Sequence, residues 1–169
     1  GPITDSGNLI IAGTTTLAAG AANNIQLDSA GNNFSTVAIT SGNNVTLADV
    51  NSIDLGASTV SGNLVVTSGG TISDSGAINV TAASTLTAAA GSSITLDFAG
   101  STYGGAVSFL SGGPGNLQNV TVINSAAFDL GALTLDGNLS VTAGGPITDS
   151  GNLIIAGTTT LAAGAANNI

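Results

Sequence analysis

The chain has 169 residues, 43% of them hydrophobic, and a formal charge of −9 carried entirely by Asp. Lys, Arg, His, Glu, Cys, Met and Trp are all absent. This excludes side-chain salt bridges, nucleic-acid binding through phosphate neutralisation, direct attraction to anionic membranes, disulfides, Cys or His metal sites and His-dependent nucleophilic triads. The composition is too apolar for a disordered tail. No apolar run approaches the ~18 residues of a membrane helix. Four Phe and one Tyr cannot supply the aromatic girdles of a membrane barrel.

Residues 1–25, GPITDSGNLIIAGTTTLAAGAANNI, return unchanged as residues 145–169, which sets a period of 144 residues. The chain therefore reads as one continuous repeat segment, 1–169. Residues 1–144 are a full period and 145–169 the start of the next. It begins without Met and starts and stops inside a repeat, as expected of an excerpt from a longer polypeptide.

A weaker repeat lies inside the period. GPITDSG at 1–7 matches GTISDSG at 70–76, and IQLDSAG at 25–31 matches ITLDFAG at 94–100, both offset by 69. VTLADVNSIDLGAS at 45–58 matches VTVINSAAFDLGAL at 120–133, and SGNLVVTSGG at 61–70 matches DGNLSVTAGG at 136–145, both offset by 75. The half-periods are thus about 1–69 and 70–144, and the extra six residues fall in a longer loop near SGGPGNLQ, 111–118.

Apolar–x–apolar triplets recur along the chain. They run from Ile25-Gln26-Leu27 through Val45-Thr46-Leu47, Ile53-Asp54-Leu55, Ile78-Asn79-Val80 and Ile94-Thr95-Leu96 to Val120-Thr121-Val122 and Leu139-Ser140-Val141. Period-2 alternation marks short strands with one buried face. The Gly, Asn, Asp and Ser between them suit turns, and 25 Gly with abundant β-branched residues disfavour helices.

Triplets this short cannot make a broad sheet, but stacked as a parallel β-solenoid each turn satisfies the next. Grouping Leu64/Ile72/Ile78, Leu86/Ile94/Val107 and Val120/Phe128/Leu133 as turns predicts three turns per half-period. That is about six turns per 144-residue period at roughly 24 residues each, with seven turns near 20 residues as the alternative. Asn at recurring turn positions would form ladders along the axis. The alternative all-β fold is an array of small β-sandwich repeats, which would want longer strands and large aromatics.

Segments such as SGNLVVTSGGTISDSG, GNLSVTAGGPITDSG and LAAGAANNIQLDSAGNNF resemble the repeats of large bacterial exoproteins, the filamentous-haemagglutinin-like adhesins and autotransporter passenger regions. The resemblance implies a right-handed parallel β-helix, secretion by two-partner or autotransporter routes, and roles in adhesion or biofilm at the bacterial cell surface. The absence of basic residues departs from that pattern and argues against polyanion binding.

Chemistry has little to draw on. Asp5/Asp74, Asp28/Asp97 and Asp54/Asp129 are paired across half-periods, each shortly before a Gly, and read as corner caps with Gly supplying a positive φ. A calcium ion wants six to eight oxygens; the stretch with most side-chain oxygens offers Asp49, Asn51 and Asp54. Carboxylate pairs can hydrolyse sugars. Here no cation orients substrate and no Trp offers a platform, so no catalytic residues and no cofactor beyond calcium are expected. Thr runs such as Thr14-Thr15-Thr16 and Thr85-Leu86-Thr87 do not form one obvious file and follow from strand propensity. Sequons at Asn33, Asn44, Asn79, Asn119 and Asn138 are expected by composition alone.

The functional expectation is a structural shaft or fibre in a long secreted bacterial surface protein. Its partners would be itself and cell-surface or matrix glycans. The alternative is a module that binds a glycan, mineral or ice surface through a flat solenoid face.

Overall fold

The computed structural model describes residues 1–165 and 167–169, so Ala166 of the returning segment lies outside the description. Among the described residues there are twenty strands and no helix. The first half-period carries β1 (Ile3–Thr4), β2 (Ile10–Ala18), β3 (Ile25–Leu27), β4 (Asn33–Gly42), β5 (Val45–Asp49), β6 (Ile53–Val60) and β7 (Leu64–Ser68). Then come β8 (Ile72–Asp74), β9 (Ile78–Val80), β10 (Ser84–Ala88), β11 (Ile94–Leu96), β12 (Thr102–Tyr103), β13 (Val107–Ser111), β14 (Val120–Asn124), β15 (Phe128–Leu130), β16 (Leu133–Leu135) and β17 (Leu139–Ala143). The returning segment holds β18 (Ile147–Asp149), β19 (Leu153–Ile155) and β20 (Thr159–Ala162).

All pairings are parallel. One sheet stacks β1-β3-β5-β7-β10-β13-β15-β18, and a second runs from β2 through β4 and β6 to β8, β11, β14, β17 and β20, with β9 and β12 branching from β6. β16 and β19 make a third, small sheet. Each pass of the chain around the axis adds one strand to the first sheet and one strand, or a bent pair, to the second. The fold is a β-solenoid, as the alternation predicts.

The core is a narrow stack of aliphatics. Triplet ends point inward and are buried while the middle residue faces out, as in β9 and β11. Like stacks on like: Leu27, Leu47, Val66, Leu86 and Phe109 follow one another in register on the first sheet. Ile53, Ile72, Ile94, Val120 and Leu139 do so on the second.

The turn count differs from the six expected. From β1 to β18, which carries Ile147, the copy of Ile3, the first sheet takes seven steps, so 144 residues make seven turns of about 20 residues. The expectation of roughly 24 residues per turn is corrected accordingly. Leu64/Ile72/Ile78 is a true turn, but Leu86 and Ile94 are followed by Thr102-Tyr103, which pairs with Asn79-Val80, and Val107 already opens the next turn. Thr102-Tyr103 escapes a search for apolar triplets because it has one inward side chain rather than two. The long bent β2 escapes for a similar reason, with Gly13 and three Thr in its middle.

Seven turns over two half-periods puts three and a half turns in each. Half-period copies therefore land on opposite sheets. Val45 and Leu64 lie on the first sheet and their copies Val120 and Leu139 on the second; Ile53 and Ile72 lie on the second and their copies Phe128 and Ile147 on the first. The five-residue strands β5, β7 and β10 form one broad face in the first part of the rod, and their counterparts β14 and β17 form it on the other side.

Corner glycines serve a purpose other than the expected one. Of the glycines after the six paired Asp, only Gly100 has a positive φ, 89°. At Gly31, Gly56 and Gly76 the constraint is crowding between turns, whereas Gly7 and Gly131 have open space around them. A Cβ on Gly76 would strike the backbone nitrogen of Ala57, and one on its copy Gly151 that of Ala132. The expected loop at 111–118 is present between β13 and β14, with Gly112 to Gly115 exposed and Leu117 tucked into the core.

Leu96 is fully buried and stacks on Val122, whereas its neighbour Thr95 faces outward. Leu96→Ala is expected to cost about 2–5 kcal/mol, and Thr95→Ala under about 1 kcal/mol. Urea unfolding followed by far-UV circular dichroism reads the difference; equal effects would reverse the assignment of faces. Proteinase K is expected to nick the native rod first within 111–116, which mass spectrometry of the fragments locates.

Candidate functional site

Of the residues singled out for calcium, Asp49 and Asn51 meet through a backbone hydrogen bond, while Asp54 bonds to the next turn. Asp49 is buried at the end of β5, where its carboxylate accepts the backbone N–H of Phe34 at 2.6 Å and that of Asn51 at 2.9 Å. Its half-period copy is Asn124, whose Oδ1 accepts the N–H of Tyr103 at 2.9 Å. Asn can stand in for Asp there because the position needs an acceptor rather than a charge. Asp54 accepts the hydroxyls of Ser73 and Ser75 on the next turn. Asn51 and Asp54 line one shallow groove, with Ile10 and Ile53, while Asp49 lines another, with Asp28 and Thr67. Among the described residues no group of three or more carboxylates gathers as a metal site.

The paired Asp act between turns. Asp5 accepts the N–H of Ser29 at 3.2 Å and the amide of Asn32 at 2.6 Å, and its copy Asp74 accepts the N–H groups of Asp97 and Phe98. Burial works against ionisation of Asp5, but the Asn32 and Ser29 bonds outweigh it and hold the carboxyl below its ordinary value. At Asp74 burial prevails over the bonds from Phe98 and Asp97, and the charges of Asp97 and Asp54 add to it, so this carboxyl is raised. Asp129 accepts the hydroxyls of Ser150 and Thr148, which lower it. Asp28 accepts the side-chain amide of Gln26, two residues before it.

Asn residues one position before the broad-face strands form the expected ladder. Asn24 Oδ1 accepts the N–H of Asn44 at 3.2 Å, Asn44 Oδ1 that of Asn63 at 3.1 Å, and Asn63 Oδ1 that of Ala83 at 3.1 Å. The half-period copy runs from Asn119 to Asn138 to Thr158, each step 2.8 Å, on the opposite side. Three of the five sequon asparagines, Asn44, Asn119 and Asn138, are thereby held inside ladders, whereas Asn79 is exposed in mid-strand.

A surface feature that the sequence did not reveal runs along the second sheet. Thr14, Thr36, Asp54, Ser73, Thr95, Thr121, Ser140 and Thr160 occupy one register file through eight turns. Each presents a hydroxyl or carboxylate outward at the ~4.8 Å strand spacing. The steps between them vary from 18 to 26 residues, so the file appears only once the turn boundaries are known. The corresponding file on the first sheet is interrupted, since Val65 stands between Thr46 and Thr85. These surfaces offer hydroxyl and amide donors and acceptors and carboxylate acceptors, without cations.

The raised carboxyl of Asp74 gives a signed expectation. Its ionised form is disfavoured in the folded state, so its contribution opposes stability above pH 3.8 and vanishes when it is protonated below that value. Asp74→Asn is therefore expected to raise the melting temperature at neutral pH, with the gain shrinking as pH falls through about 4. Melting curves across pH 2.5–7 check this; a gain independent of pH would point away from the charge.

Comparison with known families finds a match to "Repeats of unknown function (DUF5649)" over residues 1–41, 42–110 and 117–169. The second and third matches begin at Gly42 and Leu117, which are 75 residues apart, one of the two internal repeat offsets. No curated protein and no solved structure matches the chain. The three matches cover nearly all of it, and the chain is a member of this repeat family with a β-solenoid fold.

Proposed function

We propose that this chain is a rigid shaft segment of a long, secreted bacterial surface protein, serving to hold an adhesive or matrix-forming part away from the cell. The observation that carries the reading is the closure of the period on itself. Seven turns return Ile147 to the sheet that holds Ile3, so copies can follow one another without a break or change of face. Each period would lengthen the rod by about 34 Å at the strand spacing. The role is mechanical and non-catalytic. Uniform negative charge keeps neighbouring shafts apart, and the absence of Lys and Arg leaves trypsin no cleavage site. Folding turn by turn without disulfides or metals suits export of an extended chain. The adhesin-like reading rests on the repeat style of segments such as GNLSVTAGGPITDSG.

A second reading, a binding face for an ordered glycan surface, is favoured by the hydroxyl file of the second sheet. It predicts that the chain sediments with an insoluble polysaccharide and that Thr95→Val combined with Thr121→Val abolishes this.

Two measurements test the shaft. Proteins of one, two and three periods should give small-angle scattering lengths that grow by about 34 Å per period at constant cross-section; a constant length would end the rod reading. Antibodies to the segment should label intact source cells and lose their target when the cells are treated with proteinase K. Signal confined to permeabilised cells would overturn the surface role.

A further inference from the structure

One junction between successive turns is incomplete on one flank. β13 pairs with β10 below it through all five of its residues, but with β15 above it only at Val107, opposite Leu130. The Ala106 carbonyl accepts from Ser84 and Gly112 N–H donates to Ala88, so the residues between them at even positions, Ser108 and Leu110, also turn their backbone groups down. Phe109 and Ser111 therefore turn theirs up, where among the described residues no ladder partner stands. A cleft of about 210 Å³ lies in the gap, between β13 and residues 130–133. Beyond it, Leu117 meets Leu135 in a single bridge. On the opposite flank of the same two turns, β14 and β17 pair in register over five residues.

The other half-period closes the equivalent gap. Val37 pairs with Leu55 there as Val107 does with Leu130. The Gly56-Ala57 corner then adds one residue to the upper strand, which puts the two backbones out of step. Ser58 absorbs the difference: its hydroxyl accepts Ile39 N–H at 3.2 Å and donates to the Gly56 carbonyl at 2.8 Å, and pairing resumes at Val60. The copy of Ser58 is Leu133, and that of Ile39 is Phe109. A leucine side chain accepts no hydrogen bond, so this one difference separates the closed junction from the open one.

We propose that this junction is a flexure built into the rod, pivoting on β14 and β17 and opening between β13 and the Gly131-Ala132 corner. The inference rests on the shaft reading and adds a joint to it: the rod is stiff between joints and bends at one place per period. Opening this flank breaks the pairing at Val107 and the bridge at Leu117. Opening the same flank one turn lower breaks five register pairs, and one turn higher three in β15–β18 and three in β16–β19. In a solenoid, stability is a sum over nearest-neighbour junctions, so motion concentrates at the weakest. Seven whole turns separate a position from its copy in the next period. Flexures in successive periods would therefore face the same flank, and their bends would add in one plane.

Two label pairs on the full 169-residue chain test the flexure. Gln26 and Thr148 lie on the first sheet, on the flank that opens, and Thr36 and Thr160 on the second, on the flank that pivots. Both pairs join the same two turns, six steps or about 29 Å apart at the strand spacing. Nitroxide labels are attached to Q26C/T148C and to T36C/T160C, and pulsed dipolar spectroscopy gives each distance distribution. The expected result is a broad distribution for Q26C/T148C and a narrow one for T36C/T160C, with L133S narrowing the first to the width of the second. Two narrow distributions, or a broad one that L133S leaves unchanged, would overturn the flexure and leave the shaft intact; two broad ones would overturn both. Amide exchange followed by NMR needs no substitution. Phe109 N–H should exchange roughly fivefold or more faster than Ile39 N–H, the factor that one net hydrogen bond of about 1 kcal/mol represents; equal protection of the two would close the gap and end the proposal.

Discussion

Every turn of this chain depends on the turns above and below it for its backbone hydrogen bonds. Among the described residues no strand pairs with a sequence neighbour through a hairpin; all partners lie about one turn away along the chain. That single requirement organises the rest. It places like residues over like, so that Ile53, Ile72 and Ile94 build one aliphatic stack. It brings corners so close that Gly76 lies against the backbone of Ala57. It turns side-chain oxygens into caps for the adjacent turn, with Asn44 receiving the N–H of Asn63 and Asp49 that of Phe34. Polar residues at these corners stabilise by completing the backbone's bonding where the strands stop.

The second determinant is circumference. With seven turns in 144 residues, a motif repeated at half that distance must reappear on the far side of the rod. The cross-section has one broad face, made by strands such as β7, and an opposite side built from two short strands, such as β8 and β9. After three and a half turns these roles exchange, with β17 forming the broad face and β18 and β19 the short pair. The core tolerates the inversion because most of its inward positions hold aliphatics in both settings. Phe34 and Tyr103 are copies of each other and both are buried; among the described residues the Tyr103 hydroxyl has no hydrogen-bond partner within ordinary distance, and burial together with the charge of Asp74 pushes its pKa well up.

Much of this was legible in the sequence. Triplets such as Ile94-Thr95-Leu96 marked strands and their buried faces, the Asn positions implied a ladder, and the insertion near SGGPGNLQ implied a loop. The turn length was less legible, because some passes carry no clean triplet: β2 is polar in its middle and Thr102-Tyr103 has a single inward side chain. Similarity between half-periods is also blind to phase, since copies a half-turn apart look the same in sequence as copies a whole turn apart. The hydroxyl file was hidden for that reason, as Thr95 and Thr121 are 26 residues apart but Ser73 and Asp54 only 19. The role of corner glycines was hidden too, because crowding and positive φ both select glycine: Gly100 has φ 89° while its copy Gly31 sits against Asn8.

The half-turn relation gives the number of half-periods a parity. Gaining or losing one of them would rotate everything beyond it by half a revolution, transferring the hydroxyl file and the Asn ladder to the other flank. Gaining or losing two leaves the orientation of the distal part unchanged. Copies 144 residues apart, which return to the same side, are identical over 25 residues, whereas copies a half-period apart, on opposite sides, differ at places such as Asp49 against Asn124 and Phe34 against Tyr103. Such a rod keeps the orientation of its far end only when its length changes in even steps.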